Sequence, residues 1–296
     1  MYRLLTSRNK HEKKTRSIFY ALLAALLFAI NSPISKLLLS HVPPTMMAGF
    51  LYLGAGIGIS LMNLYQKLIG ITTTEAPLTR KELPYTIGMV LLDIVAPVCF
   101  MIGLTKTSAA NASLLNNFEV IATAMIALII FKETITKKLW LAIFCITTSC
   151  ILLSLDDIGS LSFSLGSLLI LIACICWGFE NNCTRKLSSK NPMQIIVIKG
   201  ICSGIGSIVM SYLIGERFFN IFYIIFIMLL GFITYGLSLY FYIYAQRNLG
   251  AAKTSAYYAI APFIGVIISM IIFPQVPCTS FIIAFFIMLI GTWLAL

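Results

Sequence analysis

The sequence is short of charge. Asp, Glu, Lys and Arg make up only 10% of its 296 residues, where an ordinary soluble domain carries about 25%. With 59% of the chain hydrophobic and a mean hydropathy of +0.97, there are too few polar groups to clothe a water-soluble surface. The solvent around most of this chain is lipid. Histidine is scarce as well: His11 and His41 are the only two, both in predicted loops, so the apolar runs hold no imidazole for metal or acid–base work. No HExxH, GxSxG or paired-carboxylate motif is present, nor a GxxxxGK[ST] phosphate loop, which argues against an intramembrane hydrolase and against an ATP-driven pump. The eight cysteines form no CxxC pair. The nearest approach, Cys174-x-Cys176, points to two faces of one helix. They read as small apolar packing residues, with no metal and no cofactor expected.

What is present in abundance is the long apolar run. Ten are read: Ser17–Leu39, Thr45–Tyr65, Leu83–Thr105, Ala109–Phe131, Leu139–Ser154, Leu165–Leu187, Met193–Ile214, Phe219–Ala245, Ala252–Phe273 and Thr279–Leu296. Each is near the roughly 17–25 residues a helix needs to cross a hydrocarbon core. Backbone groups in lipid must be satisfied internally, and apolar stretches of this length mean helices rather than barrel strands. The basic start "RNKHEKKTR" fits a signal peptide, but the apolar part that follows exceeds the usual 7–15 residues. Asn31 and Pro33 interrupt it, and nine more runs follow, so it is read as the first membrane helix behind an uncleaved basic tail, residues 1–16.

The formal charge is +11, and its distribution excludes a nucleic-acid partner. Seventeen of the 21 Lys and Arg, from Arg3 to Lys253, fall on one side of the predicted helices. Lys36, Lys106 and Arg217 fall on the other, Asp156 and Asp157 with them, and Lys199 lies inside run seven. Cytoplasmic loops carry the positive excess. The expectation is a multi-pass protein of the cell membrane with both termini cytoplasmic.

The two halves resemble each other. "FAINSPISKL" in run one aligns with "WGFENNCTRKL" in run six, and Gly54-x-x-x-Gly58 in run two with Gly200-x-x-x-Gly204 in run seven. The clearest match sets "AANAS…FKE" (Ala109–Ser113, Phe131–Glu133) against "AAKTS…FPQ" (Ala251–Ser255, Phe273–Gln275), offset by 142. Five helices per repeat is an odd number, so the second repeat enters the membrane from the opposite side. Inverted repeats supply two alternative openings around one central site. The predicted organisation is an all-α polytopic membrane protein of two inverted five-helix repeats, 17–154 and 164–296, joined by an extracytoplasmic linker, 155–163.

These residues resemble the drug/metabolite transporter superfamily, specifically its ten-helix EamA-type members. The resemblance covers nearly the whole chain after the tail. It rests on the order and spacing of "FAINSPISK", "GLTKTSAANASLL", "ALIIFKETIT", "AQRNLGAAKTSAYYAIAP" and "FPQ". It implies transport of small metabolites, often export of amino acids or related compounds, from a cavity lined by helices one to four and six to nine, with five and ten peripheral. Two departures stand out. Such chains commonly carry a proline midway along helices four and nine, yet only helix nine has it here, Pro262, opposite Glu119–Val120. Glu133 has only Gln275 opposite it.

Residues three, four and seven apart share a helix face. On run four, Ala112, Asn116, Glu119 and Thr123 form a small, polar stripe with Glu119 near mid-helix. Run six carries Trp177, Glu180, Asn181 and Thr184; run one Ala24, Phe28, Asn31 and Ser35, with Ser32 at the kink before Pro33. Run eight carries Gly231, Tyr235, Ser238 and Tyr242, and run nine Ser255, Tyr258 and Pro262. Asp93 lies midway along run three, one turn before Pro97. Such stripes suit a wet central cavity. A mid-membrane carboxylate costs about 2.5–3.5 kcal/mol on insertion scales and is a functional candidate by default. Glu119 reads either as a substrate or coupling group, with Asn116 bonding the same ligand or fixing the carboxylate, or as a structural hydrogen-bond partner. Asp93 reads as a second acid or as a cap for backbone freed by the proline. Glu180 and Lys199 read as a buried ion pair, a candidate gate bracing the cytoplasmic side. Lys36 snorkels outward. The Gly-x-x-x-Gly pairs read as tight packing rather than a dimer seam. The expected partners are a small-molecule substrate and the bilayer, with protons a candidate coupling ion, in a monomer or dimer. A lipid or lipid-linked-precursor flippase on the same fold is the alternative, ahead of an intramembrane enzyme or a sensor.

Overall fold

A computed structural model of the chain describes residues 2–70, 75–132, 136–157, 162–187, 189–249, 254, 257–274 and 276–295, with the side chains of 2–13, 131, 156–157, 162–163 and 246–248 set aside. Glu133, Lys253, Ser255 and Gln275 therefore lie outside the described residues, as do the side chains of Arg3, Arg8, Lys10, Lys13, Asp156, Asp157 and Arg247. Within the described residues the chain is helical almost throughout. The helices are α1 (Tyr2–Ala29, continued by Asn31–Leu38), α2 (Pro44–Leu68), α3 (Leu83–Thr105), α4 (Ala109–Leu115, continued by Phe118–Phe131) and α5 (Lys137–Ser154). The second half holds α6 (Leu165–Leu187), α7 (Pro192–Leu213), α8 (Ile221–Gly231, Phe232–Leu237, Ser238–Leu249), α9 (through Ala261–Ile272) and α10 (Thr279–Ala295). Eight are long and apolar enough to cross a membrane, and Ala261–Ile272 and Thr279–Ala295 are shorter apolar helices. This is an all-α, ten-helix membrane protein. Its outside is as apolar as its inside: Leu213, Phe222 and Ile271 are three-quarters exposed or more, as lipid-facing side chains should be.

Local chemistry sets the helix ends. The Asn191 side chain accepts the amides of Met193 (3.0 Å) and Gln194 (3.3 Å), and Pro192 fills the first turn, where an amide is spare. Asn220 caps α8 in the same way, and Glu216 from the loop between α7 and α8 accepts the Met46 amide at 3.0 Å to cap α2. Lys36 reaches along the fold to the end of α3. Its ammonium donates to the carbonyls of Leu104 (2.6 Å) and Thr105 (3.2 Å) at the end of α3.

Three corrections to the sequence reading concern backbone shape. The basic segment ahead of the first span is helical from Tyr2, and His11 is therefore not in a loop. The linker contains two short antiparallel strands, β1 (Leu155–Asp157) and β2 (Ser162–Phe163). Several runs read as continuous helices are interrupted. α1 turns at Ile30, since Pro33 has no N–H to return to the Ala29 carbonyl. α9 turns at Ala259–Ile260, just before Pro262. α4 breaks at Asn116–Asn117 without any proline: Asn117, Glu119 and Val120 bond three residues back instead of four. Paired asparagines compete for backbone groups and weaken a helix from within. With the 142-residue offset, Asn117 is the equivalent of Ala259, so both halves break at the same place. α8 contains a π-helical turn at Phe232–Leu237.

The packing is two-fold. α3 lies on α6 and α1 on α8; α2 lies on α8 and α3 on α7; α4 meets α6 and α1 meets α9; α2 pairs with α7, α4 with α9 and α5 with α10. Exchanging every helix for the one five places on leaves this set unchanged, as two inverted halves require. α5 and α10 form a peripheral pair, joined by a hydrogen bond from Ser149 Oγ to the Ala284 carbonyl at 2.7 Å.

Glycine permits the central crossing. A Cβ on Gly200 would sit 2.4 Å from the Gly56 nitrogen, and one on Gly54 would sit 1.9 Å from the Met228 carbonyl oxygen. The Gly-x-x-x-Gly pairs thus serve packing within one chain, though not against each other. Gly49 and Gly56 of α2 face Gly204 and Gly200 of α7, while Gly54 and Gly58 face α8. Gly200→Ala is expected to force α2 and α7 apart and to cost about 1–3 kcal/mol, the usual range for overpacking. A fall of several degrees in the melting midpoint of the purified protein checks it.

Candidate functional site

Four charged side chains stand deep among the helices. Lys199 on α7 lies between two acids, with Nζ 3.1 Å from Asp93 Oδ2 on α3 and 3.0 Å from Glu180 Oε1 on α6. Asp93 is fully buried and Glu180 is 2% exposed. Asp93 Oδ1 accepts the Tyr52 hydroxyl at 2.9 Å, whose oxygen in turn accepts the Trp177 indole N–H at 3.4 Å. The Thr184 hydroxyl donates to Glu180 Oε1. Two buried carboxylates are held by one ammonium, so the removal of that ammonium would strand both.

Glu119, the fourth, is placed differently. Its Oε1 accepts Asn181 Nδ2 at 2.7 Å, and Asn181 also reaches Thr123 Oγ1 at 3.2 Å. Oε2 has no hydrogen-bond partner among the described residues, and the side chain keeps partial exposure. Aromatic rings form a continuous arc across α1, α2, α8 and α9. Ring centroids are 5.1 Å apart for Tyr242–Tyr258, 5.7 Å for Tyr258–Phe28, 6.0 Å for Phe28–Tyr235 and 5.0 Å for Tyr235–Tyr52. Tyr235 and Tyr258 are close enough to Glu119 to feel its charge, and both, with Tyr242, are only part-buried. Asn31 Nδ2 donates to the Tyr235 hydroxyl at 3.0 Å, and Asn31 Oδ1 accepts from Ser35 Oγ at 3.2 Å. Ser238 Oγ donates to the Ala24 carbonyl at 2.8 Å and lies 3.4 Å from the Tyr258 hydroxyl.

The helix irregularities gather at this place. Asn31 follows the turn in α1, Glu119 follows the break in α4, Tyr258 precedes the turn in α9 and Tyr235 sits in the π turn of α8. Discontinuous helices meeting near mid-membrane at a repeat interface are how secondary transporters build substrate sites, and π turns recur at functional positions. The sequence matches the profile of the EamA-like transporter family over residues 15–155 and 164–296. The chain belongs to that family. It is 25% identical over 279 residues to an uncharacterized transporter of Methanothermobacter thermautotrophicus, covering 84% of this chain and 77% of that one. It is 28% identical over 179 residues to the uncharacterized transporter YyaM of Bacillus subtilis, covering 57% of this chain and 59% of that one. A solved crystal structure matches its fold with a TM-score of 0.67 at 14% identity, over 94% of this chain and 95% of that one.

In this EamA-family transporter the expected stripes come together with changes. Asn116 does not steady Glu119: its side chain contacts Cys174 at 3.9 Å, and Asn181 holds the carboxylate instead. The helix break between them explains the slip, because residues 116 and 119 no longer share one regular face. The run-six stripe divides. Trp177 and Glu180 turn toward α2, α3 and α7, whereas Asn181 turns toward α4. Lys199 joins Asp93 as well as Glu180. Ser32 is buried beside the α1 turn. Sequence reasoning missed Tyr52, which links Asp93, Trp177 and Tyr235. Its signal was a tyrosine on the α2 face shared with Gly49 and Gly56. Away from this centre, a cavity of about 250 Å³ opens between the C-terminal ends of α1 and α9 and the N-terminal ends of α4 and α10, lined by Lys36, Ala109, Met270, Phe273 and Phe281 among others.

Proposed function

We propose that this transporter moves a small metabolite across the cell membrane by alternating access about the centre between its two halves, in the export direction and with both termini cytoplasmic. One observation carries the reading. A carboxylate with an uncommitted oxygen stands part-exposed among interrupted helices of both halves. A residue kept only to hold helices together would have both oxygens engaged, as Asp93 does. Glu119 is the group that meets substrate or a coupling proton, with Asn181, Tyr235 and Tyr258 beside it. The Asp93–Lys199–Glu180 cluster braces the cytoplasmic half. The export direction rests on the resemblance to exporters of amino acids and related compounds, and the orientation on the bias of Lys and Arg.

The test pairs two measurements. Metabolites are profiled inside and outside cells with and without the gene, and candidate solutes are then followed in proteoliposomes beside a fluorescent lipid. A solute that is depleted inside, enriched outside and moved by the purified protein supports the proposal. Movement of the lipid with no solute flux would replace it with a flippase.

A further inference from the structure

Resting on that reading of Glu119, we infer that the central site selects a cationic amine with an apolar body and rejects substrates that also carry a carboxylate, amino acids included. Charge, aromatic faces and location agree on this. Three carboxylates, Asp93, Glu119 and Glu180, share the region with one ammonium, Lys199, and that ammonium is already held by two of them at 3.1 and 3.0 Å. The remaining described Lys and Arg lie toward the helix ends; Lys36, for one, is engaged by the outer end of α3. A zwitterion entering the centre would bring its carboxylate to acids with no free cation to meet it. An amine brings the charge the site lacks, and Glu119 Oε2 is the open acceptor for its N–H.

The rings supply the second argument. Phe28, Tyr235, Tyr242 and Tyr258 form an unbroken arc across α1, α8 and α9, and Tyr235 and Tyr258 lie near enough to that carboxylate to feel its charge. Their π faces attract a desolvated cation, and most strongly where water is scarce. The same faces accept an apolar body without requiring any hydrogen bond from it. Together, a carboxylate and an aromatic arc recognise ammonium groups, including quaternary ones that can donate no hydrogen bond.

Isothermal calorimetry on the purified protein tests this with probes that share one body and differ in the head: phenethylamine, phenylalanine and 3-phenylpropionate, with tetrapropylammonium as the quaternary case. Phenethylamine and tetrapropylammonium are expected to bind, and the two carboxylate-bearing probes at least tenfold more weakly. Glu119→Gln should erase the preference for phenethylamine. Tyr258→Leu should weaken tetrapropylammonium by about 2- to 30-fold, whereas Tyr258→Phe, which keeps the ring and loses the hydroxyl, should not. Phenylalanine binding as tightly as phenethylamine, amine affinity unchanged in the Glu119 variant, or failure of both amines to bind would each overturn the inference. Phenylalanine flux lost in Glu119→Gln overturns only the amine class and leaves the transport site standing. Lipid movement without any solute flux is the failure of the transport reading itself.

Discussion

Lys199→Met is expected to be the most damaging single substitution in the chain. It removes the one ammonium that Asp93 and Glu180 share at 3.1 and 3.0 Å and leaves both carboxylates buried without compensation. Breaking a buried ion pair from one side commonly costs about 3–5 kcal/mol, a large part of the margin of any membrane protein. The expected result is a sharp loss of folded yield and a melting midpoint lowered well beyond that of neighbouring substitutions. Replacing the whole cluster is a different matter, because isosteric neutral groups need no counter-charge. Asp93→Asn and Glu180→Gln, added to the Lys199→Met background, should recover most of the yield. Glu180→Gln alone should cost less than Lys199→Met, since Lys199 keeps Asp93. A Lys199→Met protein as stable as the parent would show that the cluster has no bracing role.

The contrast between that cluster and Glu119 also explains what could be seen in advance. Helix number and identity followed from apolar run length, because lipid leaves the backbone few alternatives. The Glu180–Lys199 partnership was within reach for the same reason, as opposite charges at similar depth on adjacent helices have few other places to go. Asp93 was harder to place. Its link to Lys199 depends on how α3 packs across α6 and α7, which the run pattern does not specify. The pairing of Asn116 with Glu119 failed because face arithmetic presumes an unbroken helix. The break at Asn116–Asn117 carries no proline to announce it, whereas Pro33 and Pro262 mark the turns in α1 and α9. Tyr52 stayed hidden because one tyrosine on a glycine-rich helix is as suited to packing as to bonding.

Glu119→Gln carries the second large effect, and it falls on transport rather than stability. The amide keeps the shape of the side chain and can still pair with Asn181, which holds Oε1 at 2.7 Å in the parent. Yield and melting midpoint should therefore stay close to the parent, unlike those of Lys199→Met. What disappears is a charge that can be titrated and that can attract a cation. Net flux in proteoliposomes is expected to drop at least tenfold, and the residual flux should not vary with pH between the limits at which the parent's flux is expected to vary. The groups facing Glu119 make the assignment selective. Asn181 holds it directly, and Tyr235, Tyr258, Glu180 and Lys199 lie near enough to feel its charge. The two last are already committed to each other, so the open carboxylate is the one whose protonation state a passing substrate can change. Exchange flux, with substrate on both sides, separates the two roles left to it. If Glu119 carries a coupling proton, Glu119→Gln loses net movement and keeps exchange; if it holds the substrate's ammonium, both are lost. Parental flux with parental pH dependence in this variant would make Glu119 a structural hydrogen-bond acceptor and move the search for the working acid to Asp93.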